Sequence, residues 1–211
     1  MSYTAIVDYG VGNLFSLTSS LRAIGADVTV TGQAEVLRQA EKLILPGVGA
    51  FGDAADLLRR SGLGQIVVEE AEKGKPLLGI CLGMQLLFDR SFEYGEHPGL
   101  GLIPGDVVSM APVVPAGYKV PHIGWNALHF PASRPKSRLF QYVEEGQCVY
   151  FVHSYYADRC APYVTATAEY GPELTAAAER GNVYGVQFHP EKSGDVGLAI
   201  LRAFCEMEDA T

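Results

Sequence analysis

KPLLGICLGMQLLFDR, residues 75–90, joins a short apolar strand pattern to an amphipathic helical pattern, with Gly79-Ile80-Cys81-Leu82-Gly83 at the join. A side chain held on so sharp a strand-to-helix turn needs small neighbours on both sides and projects at the carboxyl end of the sheet. The N–H groups that open the following helix then face the cysteine sulfur, which favours a thiolate and stabilises an oxyanion beside it. Read alone, the pattern also suits a buried cysteine between two packing glycines.

Upstream, TAIVDYG (4–10), NLFSLTSSLRAIG (13–25), ADVTVTG (26–32), a short polar helix and KLILPGVG (42–49) alternate strand and helix patterns. Such alternation predicts an α/β fold with a mostly parallel central sheet and flanking helices. Leu14, Leu17, Leu21 and Ile24 recur at three- and four-residue steps, so one face of the first helix lies on the sheet, with Asn13 at its start and Gly25 at its end. DAADLLRRSGLGQIVVEEAEKG (53–74) reads as helix interrupted near Ser61 to Gly64. From Leu100 to about Pro135, Gly and Pro predict irregular loops and short strands. QCVYFVHSYYA (147–157), YVTATAEYG (163–171), ELTAAAERG (173–181) and NVYGVQFHP (182–190) follow as four strand-like runs, an antiparallel region in the second half, and DVGLAILRAFCEME (195–208) reads as a closing helix.

The chain has 211 residues, 48% of them hydrophobic, enough for one compact domain over 1–211, and no repeat or linker divides it. A formal charge of −8 gives no electrostatic reason to bind nucleic acid. No run approaches the roughly 18 apolar residues of a membrane span, and MSYTAIVDYG lacks the basic and apolar zones of a secretory signal, so the expected location is cytoplasmic. Cys81, Cys148, Cys160 and Cys205 are too far apart for a paired zinc site; they read as free thiols, and no metal or cofactor is expected. Cys148 and Cys205 are expected as small buried hydrophobes.

A thiol nucleophile needs a base within hydrogen-bond reach, and the base needs a group that fixes its tautomer. In VQFHPE (186–191), His189 and Glu191 meet those needs: they stand two apart across Pro190, and a turn there brings the carboxylate onto the imidazole. An isolated histidine is more commonly a surface residue, but a strand-end His-Pro-Glu paired with a strand-end G-x-C-x-G points to nucleophilic catalysis.

GICLGMQLLF (79–88) and VQFHPEKS (186–193) resemble the signature segments of the class I, triad-type glutamine amidotransferases. Within that class, DYGVGNL (8–14), LPGVGAF (45–51), PHIGWN (121–126) and YFVHSYY (150–156) are similar to the glutaminase branch of imidazole glycerol phosphate synthase, in histidine biosynthesis. The resemblance implies a flavodoxin-like fold and a Cys81-His189-Glu191 triad that hydrolyses L-glutamine to glutamate and ammonia. It implies oxyanion donors from the Leu82 N–H and from the Gly47-Val48-Gly49 strand; because Gly47 carries no Cβ, the peptide after it can take either orientation and act as a switch, unless PGVG is only a tight strand-to-helix turn. It further implies that Gln85, Glu93, His153, Ser154 and Tyr155 bind glutamine, and that Asn13, His122 and Trp125 face a (β/α)8-barrel cyclase that receives the ammonia. A stand-alone cysteine hydrolase of γ-glutamyl compounds shares the Cys-His pair, as do amidotransferase subunits of other pathways; a catalytically silent binding subunit has no use for an intact triad. Residues 111–115 and 132–138 carry no functional reading.

Overall fold

The computed structural model describes residues 3–207. Its strands are β1 (Thr4–Val7), β2 (Val28–Thr31), β3 (Lys42–Gly47), β4 (Leu77–Cys81), β5 (Phe88–Ser91), β6 (His97–Pro98), β7 (Ile103–Ser109), β8 (His122–Ala127), β9 (Cys148–His153), β10 (Tyr155–Asp158), β11 (Val164–Glu169), β12 (Glu173–Arg180) and β13 (Val183–Val186). Its α-helices are α1 (Leu14–Ala23), α2 (Ala34–Gln39), α3 (Phe51–Arg60), α4 (Leu63–Glu72), α5 (Leu82–Leu86) and α6 (Gly194–Cys205).

The main sheet runs β11-β12-β13-β4-β3-β1-β2. From β13 to β2 every pairing is parallel, while β11, β12 and β13 pair antiparallel, as the runs after residue 163 predict. The parallel strands are buried on both faces because helices cover both. Ala5, Val7, Leu43 and Leu45 enter one core, which holds α2, α3 and α4 side chains; Ile6, Ile44, Leu78 and Ile80 enter the other, with Leu17 and Leu21 of α1 and Leu201 and Phe204 of α6. Each fully buried Leu or Ile among them contributes about 1.5–3 kcal/mol. A β10-β7-β5-β6 sheet and a β8-β9 ribbon complete the chain.

The helix punctuation follows the sequence. Asn13 Oδ1 accepts the Ser16 N–H at 3.4 Å, and Gly25 closes α1 at φ 81°. Gly62, at φ 73°, separates α3 from α4. Of the closing helical run 195–208, α6 covers the portion to Cys205, and Glu208 lies outside the described residues.

Three expectations change. The helical reading of CLGMQLLFDR holds only for Leu82–Leu86, because Phe88–Ser91 pairs in parallel with β7 and long-range pairing outweighs the local period. QCVYFVHSYYA is two strands rather than one: the chain leaves β9 at Ser154 and enters another sheet as β10. Cys148 is exposed and Cys205 only half-buried, whereas Cys160 is buried. The reason at Cys148 is strand alternation, since Val149, Phe151 and His153 of β9 take the inward face and leave Cys148 on the outward one.

Of the segments without a functional reading, 132–138 makes structural contacts. Arg134 reaches Glu179 at 3.0 Å, and Ser137 Oγ accepts the Leu139 N–H to start a 3-10 turn.

Candidate active site

Three neighbouring strands of the main sheet, β3, β4 and β13, end at one place, and Cys81 is the last residue of the middle one. Its backbone sits at φ 55°, a conformation costly for a residue with a Cβ and held by its surroundings. The glycines beside it are required by contact. A Cβ at Gly83 would lie 1.8 Å from the Leu45 carbonyl oxygen, and one at Gly79 would lie 2.7 Å from the Gly83 oxygen. Gly47, paired with Cys81 in the ladder, admits none either, because a Cβ there would stand 2.8 Å from the Gly83 nitrogen. Its glycine is needed for close approach, while Gly49, at φ 93°, is the one in a left-handed conformation.

His189 follows β13 in extended backbone, and Pro190–Lys192 forms a 3-10 turn that returns Glu191 to it. Glu191 Oε1 accepts a hydrogen bond from His189 Nδ1–H at 2.8 Å, which leaves Nε2 for the sulfur side. Both side chains are nearly buried, at 4% and 3% exposure, so the pair is little screened by water. Burial alone would lower the His189 pKa; hydrogen bonds to Cys81 and Glu191 outweigh it and push the value up to about 10. The raised value favours the protonated imidazole, the form that pairs with a thiolate. Ser193 braces this turn, its Oγ donating to the His189 carbonyl at 2.6 Å and accepting the Tyr150 N–H at 3.0 Å.

A cavity of about 370 Å³ opens beside the sulfur, lined by Cys81, Leu82, Gln85, Glu93, Val48 and Gly49 from one half of the chain and by His153, Ser154, Tyr155, His189 and Lys192 from the other. All five expected glutamine-binding residues meet there. The break at Ser154 makes this possible, since it exposes both the end of β9 and the start of β10 to the same space. Glu93 Oε2 accepts the Phe51 N–H at 2.6 Å and so caps α3, with its second oxygen left over for a ligand. Gln85 donates from Nε2 to the Tyr155 carbonyl and to Gln187 Oε1, both at 3.0 Å.

Two residues not expected from the sequence stand close to Cys81 and Gly47. The Tyr9 hydroxyl donates to the Pro46 carbonyl at 2.8 Å, anchoring the strand that leads to Gly47; burial, then the charge at Cys81, hold its phenol above the ordinary pKa. Gln187 Nε2 donates to the Cys81 sulfur at 3.9 Å. Both stand inside quoted motifs, DYGVGNL and VQFHPEKS, but nothing local tells which way their side chains turn.

His153 and His122 form a buried chain behind the cavity. His153 Nδ1 donates to the Tyr155 carbonyl at 2.9 Å, so its Nε2 accepts from His122 Nδ1 at 3.0 Å, while His122 Nε2 meets Asn126 Oδ1 at 2.7 Å. Asn126 gives its N–H to the Glu169 carbonyl, which fixes Oδ1 as an acceptor. The chain is thus complete only when His122 carries both protons, although burial lowers its pKa ahead of the raising effect of Asn126. Burial likewise lowers His153, to about 4. Of the three residues expected to face a partner, His122 is buried between Phe151 and Tyr170, Trp125 is 55% exposed beside Ile123 on the outer face of β8, and Asn13 lines a small cavity with Gly47, Val48 and Glu191. A partner can touch Trp125 directly but reaches His122 only through its neighbours.

Among the described residues no group of three or more His, Cys, Asp or Glu is arranged to hold a metal ion, and no helix is long and apolar enough to cross a membrane.

The family model described as glutamine amidotransferase class-I matches residues 5–207. Among curated proteins, the chain is 47% identical to the imidazole glycerol phosphate synthase subunit HisH of Wolinella succinogenes, over 96% of this chain and 98% of that one. It is 50% identical to the protein of the same name from Moorella thermoacetica, over 96% of this chain and 94% of that one. Among solved structures, a glutamine amidotransferase superposes with TM-score 0.74 at 21% identity, covering 96% of this chain and 99% of the other. The PurLQS structure from Thermotoga maritima gives 0.72 at 22% identity, covering 97% and 98%. At that identity the structural likeness speaks for the fold.

Proposed function

As a member of the class I glutamine amidotransferase family, the chain is an enzyme that draws ammonia from glutamine, and we propose that it is the glutaminase subunit of an imidazole glycerol phosphate synthase. In this reading the whole chain is one cytoplasmic domain, and the ammonia passes to a (β/α)8-barrel cyclase in histidine biosynthesis. Full-length relatives at 47–50% identity carry that name. The observation that carries the mechanism is a left-handed Cys81 at a strand-helix turn, facing a histidine whose far nitrogen is bound by Glu191 at 2.8 Å.

The Cys81 thiolate attacks the side-chain amide carbon of glutamine, and the carbonyl oxygen takes up the negative charge. The Leu82 N–H and the peptide between Gly47 and Val48 supply its donors. His189 gives its Nε2 proton to the departing ammonia, leaving a γ-glutamyl thioester on Cys81. Neutral again, His189 takes a proton from water, whose oxygen releases glutamate. Glu191 holds the ring throughout. Glu93 receives the substrate's α-amino group, while Gln85 and His153-Ser154-Tyr155 hold the rest of it.

The Gly47-Val48 peptide acts as the control point: turned away in the free subunit, it swings to the site when the cyclase docks on the face around Trp125 and Asn13. Loss of one such donor lowers rate by about 10²–10³. The test is glutamine hydrolysis by the purified chain, alone and with its cyclase and nucleotide ligand. Activity that rises strongly with the liganded cyclase, and falls in Trp125→Ala through weaker association, supports the reading. Full activity without the cyclase makes the chain a stand-alone γ-glutamyl hydrolase instead.

A further inference from the structure

Gln187 is fully buried and takes no part in lining the glutamine cavity, yet its side chain ends at the nucleophile. The parallel pairing of β13 with β4 puts Val186 opposite Ile80, so the next residue on each strand brings Gln187 beside Cys81. Strand alternation turns Gln187 and His189 to the same side, while Val186 and Phe188 enter the core on the other.

The orientation of the amide follows from its partners. The Tyr155 carbonyl only accepts, so Gln85 must present its NH2 group there. The second hydrogen of that NH2 group meets Gln187, which must therefore present its oxygen. What remains facing the sulfur, at 3.9 Å, is the Gln187 N–H. The sulfur thus has two kinds of neighbour. As a thiol it donates to the Val152 carbonyl at 4.0 Å; as a thiolate it accepts from Gln187, with His189 lining the cavity beside it.

We propose that Gln187 is a catalytic residue, a fixed N–H donor to the Cys81 thiolate that is held in place through Gln85 by the Tyr155 carbonyl. An amide N–H does not give up its proton, so it stabilises charge on sulfur without competing with His189 in proton transfer. It acts twice in the cycle. Before attack it favours the thiolate. In thioester hydrolysis the water oxygen bonds the carbonyl carbon, the water proton passes to His189, and the C–S electron pair returns to a sulfur that Gln187 already addresses. The same link ties the substrate-side amide of Gln85 to the nucleophile.

The proposal rests on the glutaminase reading for its substrate, but the state of the sulfur is measurable without glutamine. Iodoacetamide is reacted with the full chain from about pH 5 to about pH 9, and the adduct on the Cys81 peptide is followed by mass, which separates it from exposed Cys148. Gln187→Met keeps the length and removes the donor; Gln187→Asn keeps an amide but withdraws it from the sulfur. In both, alkylation of Cys81 at neutral pH falls about tenfold and its rise moves to more alkaline pH, as for loss of one hydrogen bond to a charged group. With glutamine and the liganded cyclase, kcat falls by a similar factor, more than KM changes. Alkylation profiles that superimpose on the parent chain, in whichever variant folds, overturn the role of Gln187. Variants that show the alkylation effect beside a parent chain that never turns over glutamine overturn the glutaminase reading and leave the donor in place.

Discussion

Two cavities of comparable size differ in everything that matters for chemistry. One, about 490 Å³, lies along α3 and α4, lined by Leu58, Gly64, Gln65, Val68 and Leu86 with Arg59, Glu69 and Glu72 at its rim. The other, about 370 Å³, holds Cys81 and His189. Charges near the first pair loosely across exposed helix surface, such as Arg59 with Asp56 at 2.8 Å, where both side chains are about half exposed. Such pairs contribute little to stability. At the second, nearly buried groups from distant parts of the chain converge on one sulfur, and their titration moves in opposite directions, His189 up and His153 down. Volume therefore does not identify the site; convergence of desolvated polar groups does.

The contrast breaks most decisively at the nucleophile. Cys81→Ala should lower glutamine hydrolysis by the cyclase-bound chain more than about 10⁴-fold, whereas Gln65→Ala in the larger cavity should stay within about twofold. Equal losses would sink the assignment. Next comes the orienting carboxylate: Glu191→Gln leaves the shape intact but no longer selects the His189 tautomer, and kcat should fall by about 10²–10⁴ with KM little changed.

Backbone contacts sharpen the comparison in stability. Gly83→Ala drives a methyl group into the Leu45 carbonyl and should cost about 3–5 kcal/mol in urea unfolding. Gly64→Ala, where the nearest atom is Leu58 Cγ at 3.2 Å, should cost under about 1 kcal/mol.

The smallest effect is one of pH. His153 has a folded pKa near 4, below its unfolded value of 6.5, so the unfolded chain binds more protons between them. Stability from burying the neutral ring is full above about pH 6.5 and is lost as pH falls through 4, by about 3 kcal/mol. Unfolding midpoints measured at about pH 7 and about pH 4 should differ less in His153→Leu than in the parent chain. An unchanged difference would mean that other groups carry the acid sensitivity.

Much of this was legible in the chain itself. The alternation of strand and helix patterns before residue 90 specifies a parallel sheet because each strand must be apolar on both faces to lie between helices. Cys81 between two glycines, and His189 two residues before Glu191, are local patterns whose geometry is set by a single turn. The end of α1 at Gly25 and the break near Gly62 are equally local, since each needs a left-handed residue.

Long-range contacts decided the rest. Phe88–Ser91 became a strand because β7 offered it a partner, and the single run 147–157 became two strands because its halves pair in different sheets. That division brings His153 and Tyr155 to the cavity and creates the carbonyl from which Gln85 and Gln187 take their orientation. The exposure of Cys148 and the burial of His122 follow from strand faces that only the assembled sheets define. The sequence alone determined which groups are candidates for the chemistry, because motif, turn and charge type are short-range properties. Which of them meet, which way an amide points and how far a proton equilibrium moves were decided by the tertiary structure, because burial and hydrogen bonding depend on residues far apart in the chain, 102 positions apart in the Gln85–Gln187 bond.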